Sequence, residues 1–306
     1  MAHRTRSKTI SSKPALLCML LLMQACMSLL LGQETSSSLE SKSPESPVQF
    51  TPEAQGRRQI SVRTLKDGYQ WRLRIPERVF CDEGVLVGHD IHRVHTPVRW
   101  AKGDEGSWHY RRANLADTSR KSLSLKIEYS LRIEPRSFGA DLVVSVKNTG
   151  DTTLHNVTGH VCLGHMSEPF RDPGYRRTFI LRHKQYLNLT KTQRGSNPIR
   201  AHYRIRDQAP IKLFDNPANR FWGPLSPEIA DNGLILTQSR EKTQLVALWF
   251  DPAAELFQNS DEPNMCIHSD PAFGNLEPGS SSQVKGRLIF FQGTLNQFEE
   301  SFLRQD

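Results

Sequence analysis

The chain of 306 residues is poor in the features that mark several broad protein classes. Cysteine is scarce, five in all, and a chain of this size builds a core without disulfide staples. Proline and glycine, 18 and 19 residues, stand at ordinary levels, which removes collagen-like and low-complexity readings. A comfortable membrane span is also missing. The longest apolar run, residues 15–31, is about 17 residues long, is interrupted by Gln24 and Cys26, and sits at the short end of what crosses a bilayer. Charge of one sign is modest once its location is considered. The formal net charge is +8, but Arg4, Arg6, Lys8 and Lys13 lie in an acid-free N-terminal stretch, and without them 36 basic residues face 32 acidic ones. A surplus that small argues against a nucleic-acid partner.

What is present begins with that N-terminus. A basic start, the apolar run, Gly32 and then Ser- and Glu-rich sequence together read as an export signal over residues 1–33, with an uncleaved N-terminal anchor as the alternative. The expectation is an extracytoplasmic protein, periplasmic or secreted, with a membrane tether if the segment is retained. Residues 34–57 are rich in Ser, Glu and Pro with few large apolar side chains, so they are expected to form a disordered tether. The folded domain is expected over residues 58–306. Loss of the signal would leave Cys81, Cys162 and Cys266.

Within the domain the dominant period is two. In residues 122–133, Leu123, Leu125, Ile127, Tyr129, Leu131 and Ile133 alternate with Ser, Lys, Glu and Arg, the pattern of a strand with one face in the core and one in water. Leu142, Val144 and Val146 repeat it after a turn at Phe138-Gly139, and Asn148-Thr149-Gly150-Asp151 supplies the next turn. Shorter strand-like runs occur at 70–75, 85–94, 156–163, 178–189, 199–205, 234–238, 244–250, 265–268 and 283–291. Many short strands without interleaved helical periods predict an all-β fold, a large antiparallel sandwich, over a doubly wound α/β sheet. A short C-terminal helix is predicted: Thr294 and Gln297 form a capping box, and Leu295, Phe298, Phe302 and Leu303 its apolar stripe.

Histidines offer the candidate chemistry. His89, His92 and His95 fall close together, but on a strand His89 and His95 share a face about 20 Å apart while His92 points the other way, so the three cannot hold one ion. His92 is kept as a candidate ligand contact. A second cluster comes from two distant segments. Gly159-His160-Val161-Cys162 and Cys266-Ile267-His268 each place a histidine and a cysteine on one strand face. If those strands are neighbours, the four side chains meet. They could then enclose zinc, join the sulfurs as a disulfide, or present the imidazoles to a pocket for proton transfer. Asn219-Arg220-Phe221-Trp222-Gly223-Pro224 is the best aromatic loop for stacking on a ligand, with Trp222 its platform; Trp100 and Trp108 are a second option. The sequons at Asn156 and Asn188 would be glycosylation acceptors in a eukaryotic secretory pathway.

The stretch Val146-Lys147-Asn148-Thr149-Gly150-Asp151 through Asn156-Val157-Thr158-Gly159-His160, with Cys266-Ile267-His268 and Leu276-Glu277-Pro278-Gly279-Ser280, resembles the aldose 1-epimerase (galactose mutarotase) pattern over about 45 residues in two pieces. The resemblance implies a β-supersandwich. It implies that His160 occupies the place of the general acid that protonates the sugar ring oxygen, and that His268 stands where the family has its general-base carboxylate. The Tyr-Phe-Asn that follows the family histidine is Val161-Cys162-Leu163-Gly164 here. A His/His pair can divide acid and base roles when one ring is neutral and the other protonated. Asp270, two residues beyond His268, would orient that imidazole and contact substrate if the strand continues so far, although Pro271 suggests that it stops. The expectation is a carbohydrate-binding protein, with aldose epimerase-like isomerase chemistry as an extension, and no cofactor or metal. The alternative is a non-catalytic structural or interaction protein of the cell envelope. The sugar reading requires His160 and His268 to look into a shared, solvent-filled hollow.

Overall fold

The computed structural model describes residues 46–53, 58–87, 98–115, 126–194, 199–209 and 225–302. In chain order the strands are β1 (Val48–Pro52), β2 (Gln59–Thr64), β3 (Gln70–Cys81), β4 (Gly84–Val87), β5 (Ala101–Lys102) and β6 (Trp108–Leu115). There follow β7 (Ile127–Arg136), β8 (Gly139–Asn148), β9 (Leu154–Gly164), β10 (Thr178–Arg182), β11 (Gln185–Asn188) and β12 (Arg200–Ile205). The last are β13 (Ile229–Ala230), β14 (Gly233–Gln238), β15 (Gln244–Asp251), β16 (Ala253–Asn259), β17 (Cys266–Leu276) and β18 (Ser281–Gln292), before helix α1 (Leu295–Phe302).

Alternation decides the layers. In β7, Ile127, Tyr129, Leu131 and Ile133 are buried, while Arg132 between them is exposed. In β8, Leu142, Val144 and Val146 pair with them in register. These side chains meet Leu73, Ile75 and Val79 of β3, Val161 and Leu163 of β9, and Ile267 of β17 in one continuous core. Two sheets of nine described strands result, ordered β1-β2-β3-β9-β17-β16-β12-β13 with β4 on β3, and β11-β10-β14-β15-β18-β8-β7-β6-β5. Pairing is antiparallel except between β12 and β13. This is the large all-β sandwich that the sequence predicts.

The second sheet carries α1 on its outer side. Phe298 closes a smaller apolar cluster with Leu234, Leu236, Leu245, Ala247 and Ile289. The capping box forms: the Thr294 N–H donates to Gln297 Oε1 at 2.8 Å, and the Gln297 N–H to Thr294 Oγ1 at 3.4 Å.

Three expectations change in detail, and one strand, β16, carries no signal in the sequence. β1 lies inside the stretch read as a disordered tether, so the sandwich begins before residue 58. Val48 and Phe50 alternate into the core, and β1 pairs along its whole length with β2, which offsets the entropy of ordering these residues. The run 178–189 is a hairpin rather than one strand. His183 and Lys184 take positive φ, 51° and 59°, the left-handed pair that a tight two-residue turn needs. β17 does not stop at Pro271, because β16 pairs through that residue and the strand continues to Leu276. Finally, β16 lacks alternation because nearly all of it is buried. The N-terminal signal, residues 88–97 with His92, and the Trp222 loop lie outside the described residues.

Candidate functional site

The outer face of the first sheet is polar yet closed. β9 and β17 are neighbours with His268 opposite Cys162 and Cys266 opposite Gly164. Period two then puts His160 and Cys162 of β9 on the same face as Cys266, His268 and Asp270 of β17. β16 adds Phe257, opposite His268, and Glu255, opposite Asp270; β12 adds His202, opposite Phe257. On the far side β3 contributes Arg74, opposite Cys162, and Arg78, opposite His160.

The two imidazoles that the sequence singles out are brought together. Their ring centroids lie 4.1 Å apart with the planes 20° from parallel. They do not look into a solvent-filled hollow, since each exposes 1% of its surface. Phe257 stands edge-on to His268 at 5.0 Å and to His202 at 5.8 Å. A surface hollow of about 370 Å³ lies elsewhere, at Asp104, Glu105, Arg132, Glu134 and Arg136 near the second sheet's edge.

Two imidazole–carboxyl pairs organise the face. His160 Nδ1 lies 2.7 Å from Asp270 Oδ2, and the Val161 N–H donates to Asp270 Oδ1 at 3.2 Å. Asp270 therefore holds His160 on the neighbouring strand, not His268 on its own, because antiparallel register sets it beside His160. In the second pair His202 Nε2 lies 2.5 Å from Glu255 Oε2. Sequence reasoning missed this pair: His202 sits in a predicted strand without further distinction, and β16 has no period to announce it.

Burial sets the protonation of the first pair. It pushes the His160 imidazole down to about 3, helped by the nearby positive charge of Arg78. Burial also lifts the Asp270 carboxyl well above its usual range, with Glu255 adding like-charge repulsion. Both shifts favour the uncharged forms, imidazole and carboxylic acid, the arrangement in which Oδ2–H donates to Nδ1. His268 is lowered as well, by burial and then by His160.

Beside the imidazoles lie two free thiols. Cys266 Sγ is 3.0 Å from His268 Nε2, and Arg74 Nη1 reaches Cys162 Sγ at 3.9 Å. The hydrogen bond from Cys162 and the proximity of His268 draw Cys266 down to about 5, while burial raises Cys162 well above the ordinary thiol value. Among the described residues no disulfide links them.

The other candidates are placed differently. Trp100 packs edge-on against buried Tyr110 at 4.8 Å, and Trp108 packs on the core, so both are structural. Asn188 caps a short 3-10 turn by accepting from the Thr190 N–H, and Asn156 donates to Asp82 at 2.7 Å.

No protein-family model matches the chain, and no curated protein matches its sequence. Solved structures do match. The chain is similar to an alpha-N-acetylgalactosaminidase from Bifidobacterium bifidum solved as a GalNAc complex, at a TM-score of 0.50 and 10% identity over 85% of this chain and 38% of that one. It is also similar to a galactose mutarotase related enzyme from Lactobacillus acidophilus, at a TM-score of 0.48 and 11% identity over 81% and 98% of the two chains. A galactose mutarotase-like protein from Lactobacillus casei gives 0.45 and 10% over 80% and 100%. Identity this low speaks for fold and not for activity: the chain is a large antiparallel β-sandwich, a fold that 85% of it shares with part of the Bifidobacterium enzyme.

Proposed function

We propose that this is an exported carbohydrate-binding protein; because His160 and His268 meet in dry packing rather than in the solvent-filled hollow that a preformed sugar site requires, the outer face of its first sheet recognises sugar only once it is uncovered. The observation that carries the reading is the pairing of His160 with Asp270 and of His202 with Glu255 around Phe257 on one sheet face. Sugar hydroxyls are matched by fixed donors and acceptors of this kind, and the apolar face of a pyranose by an aromatic ring. The Bifidobacterium enzyme, 38% of which matches this chain, was solved as a GalNAc complex.

Epimerase chemistry finds less support. Acid and base must flank a sugar ring, and a ring held between two imidazoles needs their planes about 7 Å apart, two contact distances. At 4.1 Å the imidazoles touch each other instead. A neutral His160 also lacks the proton that a general acid donates. Because the face is buried, a saccharide gains access by displacing what covers it, which weakens binding by the cost of opening.

A glycan array on the full chain tests the proposal, followed by titration of any hit with His160→Asn and with Glu255→Gln. Binding of a restricted set of glycans, weakened at least tenfold in variants that keep the wild-type circular dichroism spectrum, is expected. Silence across the array would leave the interaction-scaffold reading, which near-complete burial of the same face favours.

A further inference from the structure

Among the groups that the sugar reading does not use, one cluster has the composition and geometry of a metal centre. The ligand atoms of Cys162, Cys266 and His268 all lie within 4.8 Å of one another. They come from two adjacent strands, Cys162 directly opposite His268 and Cys266 one step along the same face. A tetrahedral zinc with bonds of about 2.3 Å to sulfur and 2.0–2.1 Å to nitrogen sets such donors about 3.6–3.8 Å apart. The 3.0 Å between Cys266 Sγ and His268 Nε2 opens to that value by small side-chain rotations.

A second observation concerns the space beside the sulfurs. Gly164 faces Cys266 across the strand pair and shows no positive φ, so backbone conformation does not call for glycine there. A Cβ at this position would lie 3.2 Å from Cys266 Cβ and 3.3 Å from Cys162 Sγ. Any side chain at this position would press on both cysteines, so glycine leaves the two thiols uncrowded.

Two competing uses of these residues fit less well. A set containing both imidazoles fails because ring-nitrogen lone pairs lie in the ring plane, so two rings stacked 20° from parallel cannot converge on one ion. A disulfide fails on register. Cys162 and Cys266 are diagonal neighbours, whose Cα atoms in such a pair are about 7–8 Å apart, beyond the usual disulfide range. Charge also balances. Two thiolates offset one divalent cation, and Arg74 and Glu77, 3.8 Å apart, offset each other.

We infer that Cys162, Cys266 and His268 form a buried Cys2His site for zinc, on the sheet face of the proposed sugar contacts but built from residues that those contacts do not use. Zinc replaces the thiol hydrogens, which leave as protons to solvent, and His268 binds through Nε2 with its hydrogen on Nδ1. The site is structural in character, because it clips β9 to β17 at the buried face.

The full chain is purified without chelator, analysed for metal, then stripped and reloaded with Co2+ as a spectroscopic substitute. One zinc per chain is expected, with a Co2+–thiolate charge-transfer band that disappears in Cys162→Ser and in Cys266→Ser and persists in Cys81→Ser. Should either serine variant fail to fold, the wild type serves: stripping the metal lowers its melting temperature and zinc restores it, and the same cycle in Cys81→Ser behaves alike. A Co2+ complex without thiolate absorption, or a wild type that takes up no metal and melts identically with and without chelator, overturns the assignment. Sugar binding plays no part in either readout.

Discussion

The protonation of the His160–Asp270 pair yields a quantitative prediction through Asp270→Asn. In the native pair Oδ1 accepts from the Val161 N–H and Oδ2 faces His160 Nδ1. An asparagine reproduces both contacts when the wild-type carboxyl is protonated, with its Oδ1 accepting and its Nδ2–H donating. Burial raises the folded pKa of Asp270 well above the ordinary carboxylate value. The native state therefore holds a proton at Asp270 that the unfolded state releases above about pH 4, so this group's contribution to stability falls as pH rises toward the native value, while the lowered His160, common to wild type and variant, contributes in the opposite sense below about pH 6.5. Asparagine does not titrate. The stability of the variant relative to wild type should grow by about 1.4 kcal/mol per pH unit over that window. Each pH unit inside that window is a relative gain of about 3–6 °C in melting temperature for a domain of this size. Asp270→Ala, by contrast, strands the buried Val161 N–H and His160 Nδ1 and should cost about 2–5 kcal/mol. Paired urea and thermal melts from pH 5 to 8 measure both. A stability difference that stays flat with pH would mean a buried, ionised carboxylate beside a neutral imidazole, and would refute the reasoning. Equal damage from Asn and Ala would refute the donor geometry.

Further predictions concern the scaffold. Gly139→Ala should cost about 2–4 kcal/mol, read as a lower urea midpoint, since Gly139 has a φ of 139° and a Cβ there would lie 2.2 Å from the Leu288 carbonyl oxygen. Gly286→Ala should be damaging for a different reason: the added carbon meets the Phe250 ring at 2.4 Å, so Phe250→Leu in the same chain should recover part of the loss. Thr294→Ala removes the α1 cap and should cost about 1 kcal/mol. Faster amide exchange in the helix's first turn, with the central strands unchanged, is the expected signature.

Much of the scaffold was legible in the sequence wherever one strand face meets the core and the other meets water. β7 and β8 show that alternation, and Thr294 with Gln297 announces α1 through side-chain chemistry alone. Period two also put His160 with Cys162, and Cys266 with His268, on shared faces. The remainder depends on long-range pairing. Almost all of β16 is buried, so Glu255 and Phe257 gave no periodic sign of themselves. Asp270 reads in sequence as a neighbour of His268, yet register hands it to His160 across the strand gap. The His183–Lys184 turn contains no Gly, Asn or Asp, the residues that announce a two-residue hairpin turn most strongly. Burial of a face carrying so many polar groups was the least legible feature, since polar side chains in a sequence suggest solvent.

The account rests on His160 and His268 being stacked in a closed, polar interior. Histidine-selective two-dimensional NMR of the full chain, recorded as a pH series with nuclear Overhauser transfer between ring protons, addresses this directly. A cross-peak between the two imidazoles, with the His160 resonances unmoved from pH 8 to pH 5, is the predicted result. Two rings without mutual transfer, each titrating near 6.5 as solvent-exposed histidines do, would contradict it.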